Sequence, residues 1–176
     1  MIFCSFHTGP GYAEHAAELV ATLDRFGLRH DVRGLPDAGA WALNCGRKAS
    51  YLLQMRADHP GESLVWVDAD ARVRRDPDLF RSLDCDLAAH WRNGVELLSG
   101  TLYIGERETA GELLEAWRDE CTANPTEWDQ RCLARVLDSK RWRVQTLPAE
   151  YTAIFDAGMC EHPVIEHLQA SRKLRR

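Results

Sequence analysis

The run Leu64-Val65-Trp66-Val67 constrains this chain most. Four consecutive apolar residues with no polar alternation do not suit a strand with one wet face. They suit a central strand covered on both faces. Such a strand needs helices on either side, and the rest of the chain supplies them by alternating strand and helix patterns. Ile2 to Phe6 reads as a first strand and His7-Thr8-Gly9-Pro10-Gly11 as a turn. Tyr12, Ala16, Leu19, Val20 and Leu23 then recur at helical spacing, with Gly27 placed as a C-cap. Residues 29–35 predict a second strand. Residues 40–58 predict a helix whose apolar stripe is Trp41, Cys45, Leu52 and Met55, with Lys48 on the same stripe. Residues 85–89 and 95–104 predict two more strands. Thr109-x-x-Glu112 has the pattern of a capping box opening one helix, and Pro125-Thr126 opens another. Residues 142–147 predict a strand, and Val164-Ile165 is a last apolar piece before His167.

A chain of 176 residues suits one domain, 1–176, with a core of its own. The net charge of -5 gives no reason to expect a protein that wraps a polyanion. The basic residues Arg172, Lys173, Arg175 and Arg176 at the end are the exception, either a solvated tail or a local anion site. Six scattered cysteines without a C-x-x-C pair argue against a zinc site or a disulfide framework and fit a reducing, cytoplasmic setting. The opening segment carries no signal-peptide pattern. No apolar run approaches the ~20 residues of a membrane span.

The chemistry is expected where the apolar run ends, in Asp68-Ala69-Asp70. Ligands of open α/β sheets bind at the carboxyl ends of strands. In extended chain two acids at i and i+2 point to one side, where their repulsion favours a cation between them. Hard divalent ions take carboxylate oxygens and keep positions open for phosphates. Lys48, on an inward helix face, either snorkels from the core edge or meets a phosphate or base. Asp129 is either a residue in the third position of a capped helix, where acids suit the dipole, or an acid aimed inward with Cys132, Leu133 and Val136. In the second case it could hold a sugar or deprotonate a hydroxyl.

Val65-Trp66-Val67-Asp68-Ala69-Asp70 resembles the metal-binding D-x-D of GT-A fold glycosyltransferases. Ser99 to Ile104, Trp128-Asp129-Gln130, Leu147-Pro148 and 164–172 resemble further segments of small bacterial and phage members, in the same order. The resemblance implies a single-domain, Rossmann-like GT-A mixed sheet flanked by helices. It implies a hexosyltransferase-like enzyme moving a sugar from a nucleotide-diphosphate donor, with uridine as the base, to an acceptor hydroxyl. Asp68, Asp70 and His167 would hold Mn²⁺ or Mg²⁺, with imidazole favouring manganese. Thr8 and Gly9 would hold the base, and Lys48 the base or diphosphate. Asp68 and Ala69 would meet the donor, Ser99 and Gly100 would border the sugar, and Arg172 and Lys173 would lie near the diphosphate. Asp129 and Gln130 are the candidate catalytic pair. The acceptor is open, and nucleic acid enters only as a possible glycosylation acceptor.

The chain departs from the pattern in two ways. It is short for this fold, so acceptor-binding elements are minimal or come from a partner or a second copy. After His167 it reads Leu168-Gln169-Ala170-Ser171-Arg172 rather than the H-x-x-G-x-x-K-P-W string of the glycogenin-like branch, so a retaining outcome does not follow. Two alternatives stand. A haloacid-dehalogenase-type phosphatase also uses D-x-D, although Arg72 occupies its threonine position. A non-catalytic nucleotide-sugar binder is the other.

Overall fold

The computed structural model describes residues 1–174; Arg175 and Arg176 of the basic tail lie outside the described residues. The chain opens with strand β1 (Ile2–Thr8), which passes straight into helix α1 (Gly9–Arg25). The expected turn at 7–11 is therefore absent: His7 and Thr8 stay in the strand and Gly9 starts the helix. Gly9 makes this possible by adopting φ +73°, and a Cβ there would meet nothing within 4 Å, so its role is torsional. Pro10 then presets the first helical turn. Gly27, at φ +61°, ends the helix as expected.

Strand β2 (His30–Leu35) is followed by α2 (Trp41–Gly46) and α3 (Lys48–Asp58). The single helix expected over 40–58 is interrupted at Arg47, whose N–H bonds to Asn44 C=O at 3.3 Å rather than one residue further back. The Arg47 guanidinium is drawn out of the helix to Pro36 C=O at 2.6 Å. Strand β3 (Leu64–Val67) is buried at every position, as the apolar run requires. Then come β4 (Ala71–Val73), β5 (Leu87–Arg92), β6 (Glu96–Ile104), α4 (Glu108–Ala123), α5 (Asp129–Leu137), β7 (Val144–Thr146), β8 (Ala153–Ile154), β9 (Ile165–His167) and the short α6 (Ser171–Leu174).

The capping box expected at Thr109 does not form, and Thr126 does not cap the next helix. Helix α4 begins at Glu108 without a side-chain cap, and the Thr109 hydroxyl donates to Asp86 instead. Helix α5 begins at Asp129 itself, with Trp128 as the cap, so Asp129 occupies the first helical position rather than the third. At Thr109 a local motif lost to a tertiary partner.

Among the described residues the strands form two sheets, in the orders β2-β1-β3-β6-β5-β7 and β4-β9-β8. In the larger sheet β1 runs parallel to β2 and β3, β6 runs antiparallel to β3 and β5, and β7 is parallel to β5. The period-2 alternation of a strand divides the core in two. Leu64, Trp66, Leu102 and Ile104 pack with Leu52, Met55, Leu113 and Trp117 of α3 and α4. Phe3, Val65, Val67 and Tyr103 pack on the other face with Leu19 and Leu23 of α1 and with Phe80. The rigid layer so formed brings the ends of β1 and β3 to one edge beside the middle of β6.

Candidate functional site

These strand ends open on a cleft of about 830 Å³, within the usual range for a small-molecule site. Asp68, Ala69 and Asp70 line it. The two carboxylates converge for a reason other than strand pleat: β3 stops at Val67, and a tight turn follows in which Ala71 N–H donates to Asp68 C=O at 2.9 Å. Asp68 N–H in turn donates to Gly100 C=O at 2.9 Å, anchoring the turn on β6. His167 arrives through the second sheet, because β4 pairs with β9 in a register that sets Ala71 opposite His167. One ligand atom from each of Asp68, Asp70 and His167 lies within 4.8 Å of the others.

Each of the three is oriented by a bond on its far side. Asp68 Oδ1 accepts from the Trp66 indole N–H at 2.9 Å and from Lys48 Nζ at 3.2 Å. Asp70 Oδ2 accepts from Ala170 N–H at 2.7 Å. His167 Nε2 lies 2.8 Å from the Thr101 hydroxyl, which leaves Nδ1 facing Asp70 Oδ1 at 4.0 Å, beyond hydrogen-bond reach. Outer contacts of this kind fix the ring orientation and tautomer of metal-binding histidines. The space between is kept open by Gly100. A Cβ there would stand 2.9 Å from His167 Cε1, 3.1 Å from Nδ1 and 3.3 Å from Asp68 Oδ2. Two carboxylate oxygens and an imidazole nitrogen fit Mn²⁺ or Mg²⁺.

Lys48 lines the cleft, with its ammonium bonded to groups of the protein. It is only 4% exposed. Its ammonium reaches Asp129 Oδ2 at 2.9 Å, Asp68 Oδ1 at 3.2 Å and Ser99 C=O at 3.0 Å, above the Trp66 ring at 5.0 Å. Its three protons have partners in the protein. Burial alone works against the charge, but Asp129 and then Asp68 outweigh it and hold the ammonium above the ordinary lysine range. Lys48 thus ties the D-x-D turn to helix α5.

Asp129 points inward, as its phase with Cys132 and Leu133 predicts, and is buried with them. Its Oδ2 also accepts from the Ser99 hydroxyl at 3.0 Å, and its C=O accepts from the Trp117 indole at 2.8 Å. Gln130 accepts from Ser99 N–H at 3.2 Å and donates to Glu96 at 3.4 Å. Thr8, Gly9, Ser99, Gly100 and Arg172 line the same cleft; Lys173 does not. It sits exposed on the four-residue α6, so no diphosphate contact follows for it. Arg172 pairs with Asp156. Sequence reasoning missed Thr101, the partner of His167, although it follows Gly100 in a segment already singled out. It also missed Trp41 and the Arg92–Glu96 pair of the cleft wall. The six cysteines are free thiols.

No family model and no curated protein sequence matches this chain. Solved structures do. A glycosyltransferase involved in the glycosylation of the major capsid of PBCV-1 matches with a TM-score of 0.78 at 14% identity, covering 98% of this chain and 95% of that one. The chain has a GT-A-like glycosyltransferase fold. The apo form of the glycosyltransferase GlyE of Streptococcus pneumoniae TIGR4 matches this GT-A-like chain with a TM-score of 0.67 at 17% identity, over 94% of this chain and 53% of that one. A second GlyE structure gives 0.65 at 16% identity, over 94% and 54%. No helix among the described residues of the GT-A-like chain is long and apolar enough to cross a membrane.

Proposed function

We propose that this chain transfers a sugar from a nucleoside-diphosphate donor, with uridine as the base, to an acceptor hydroxyl, using Mn²⁺ or Mg²⁺ held by Asp68, Asp70 and His167. One observation carries the reading: on a glycosyltransferase-like fold, ligand atoms of three residues converge within 4.8 Å of one another, two of them bordering a space that a Cβ at position 100 would intrude on. When bound, the ion would neutralise charge on the leaving diphosphate. Thr8 and Gly9, at the junction of β1 and α1, border the base. Ser99 and Gly100 border the transferred sugar.

Asp129 is suited to holding a sugar hydroxyl. Its Oδ2 already accepts from Lys48 and Ser99, which fixes the carboxylate and leaves its other oxygen as an acceptor. Gln130 fixes the Ser99 backbone from the other side. The phosphatase alternative draws no support from the fold neighbours. Arg72 is turned away from the D-x-D turn, to Glu18 and His15 on α1.

Thermal unfolding tests the proposal. A ligand that binds only the native state raises stability by about 2.7 kcal/mol at a hundredfold excess over Kd. UDP with Mn²⁺ should raise Tm, and UDP with chelator should not. His167→Ala should raise the manganese needed for the half-maximal shift at least about 100-fold. No shift with any nucleoside diphosphate in the presence of Mn²⁺ would overturn the donor reading, and an unmoved manganese requirement would remove His167 from the ligand set. Release of free sugar from a UDP-sugar separates an enzyme from a non-catalytic binder.

A further inference from the structure

The cleft wall beyond Asp129 carries an aromatic group that the donor reading does not use. Trp128 is 42% exposed while its neighbour Asp129 is 4% exposed. The chain therefore passes from the exposed rim of the cleft to its buried wall within one residue. The Trp128 ring is braced edge-to-face by Trp41, with centroids 5.7 Å apart and planes at 83°, and Arg131 lies over it at 5.2 Å. Trp41 and Trp128 both line the cleft. Beside them runs a chain of polar groups: Gln130 donates to Glu96 Oε1 at 3.4 Å, and the other Glu96 oxygen accepts from Arg92 Nε at 2.9 Å.

An indole held rigid at a cleft mouth, next to planar groups already fixed by one another, matches one ligand chemistry in particular. A pyranose ring has an apolar C–H face and a rim of hydroxyls. The face can lie on an aromatic ring while the rim hydrogen-bonds to carboxylate, amide and guanidinium groups lining the same cleft. Sites that bind small molecules combine an aromatic surface with a few placed polar groups in this way. An alkyl chain would cover the Arg92–Glu96–Gln130 groups in place of water without offering them any hydrogen bond, which is unfavourable.

We propose that Trp128, braced by Trp41 and sharing the cleft lining with Gln130, Glu96 and Arg92, is a platform for a sugar ring of the acceptor. The acceptor is then a saccharide or glycoconjugate, and this chain extends an existing glycan. That assignment of the bound sugar as acceptor rests on the glycosyl-transfer reading above.

Saturation-transfer NMR with the wild-type chain and the methyl glycosides of glucose, galactose, mannose and N-acetylglucosamine tests it, with octanol and a serine-containing peptide as non-sugar probes. At least one glycoside should show saturation of its ring protons, and neither non-sugar probe should. Trp128→Ala should weaken that glycoside about tenfold, and Trp128→Phe should retain most of the affinity. The Tm shift with UDP and Mn²⁺ should be unchanged in both variants. Should the alanine variant not fold, 5-fluorotryptophan labelling of the wild type serves instead: the ¹⁹F line lost in Trp128→Phe must move when the glycoside is added. Absence of saturation for all four glycosides, equal affinity in Trp128→Ala, or an unmoved Trp128 line would overturn the platform. Glycoside binding without any UDP shift would instead overturn the donor reading and leave the platform standing.

Discussion

Asp70→Asn should abolish the manganese-dependent part of UDP binding, a loss of at least about 100-fold in affinity, while leaving metal-free binding and the fold in place. Changes to the outer partners of a metal site already cost about 10- to 100-fold, and removal of a ligand belongs at or beyond the upper end. The fold survives because asparagine keeps the shape. Its carbonyl oxygen can accept the Ala170 N–H that Asp70 Oδ2 now accepts at 2.7 Å. That bond turns the amide NH₂ toward His167, where Asp70 Oδ1 now stands, and a donor replaces an acceptor at the ligand position. Gly100→Ala approaches the same site from the opposite direction. It leaves every charge in place and fills the space, with a Cβ 2.9 Å from the His167 ring. The two variants should lose the same manganese-dependent shift by titration calorimetry. If Asp70→Asn binds UDP and manganese as the wild type does, the metal assignment is wrong. If only Gly100→Ala loses binding, the site is one of shape and not of charge.

What the sequence discloses about this site follows the range over which each signal acts. Leu64 to Val67 announces a buried central strand because burial on both faces is written into consecutive residues. Asp68 and Asp70 are legible as a pair because they are local, although they meet through a turn and not through strand pleat. Lys48 is legible as inward-facing from helical phase. Its partner Asp129 is not, since nothing near position 48 indicates what lies across the cleft, where the ammonium meets protein carboxylates. His167 is visible only through family resemblance, because the pairing of β4 with β9 that delivers it joins distant parts of the chain. The false capping box fails for the same reason in reverse. Thr109 carries the right local pattern, yet Asp86, far away in sequence, takes its hydroxyl. Short patterns are most reliable where no stronger tertiary partner competes, and a functional cleft is where such partners gather.

Lys48→Met should cost about 3–5 kcal/mol of stability, because it strands buried carboxylate charge. Methionine fills nearly the same volume over Trp66, so the loss is electrostatic rather than a cavity. Asp129 bears most of it: its side chain is 6% exposed, whereas that of Asp68 is 41% exposed and can be solvated. Two further measurements separate this account from simple misfolding. The double variant Lys48→Met with Asp129→Asn should recover much of the loss, as a coupling energy measured by denaturant titration of all four forms of the cycle. The second is the pH dependence of the wild type at the alkaline end. The ammonium of Lys48 is held above lysine's ordinary 10.5 in the folded state, so its contribution is complete below that value and is lost as pH rises beyond it. A double variant no more stable than Lys48→Met would show that the two residues are not coupled. Lys48 would then be a core-filling side chain, and its contact with Asp129 would not be what ties the D-x-D turn to helix α5.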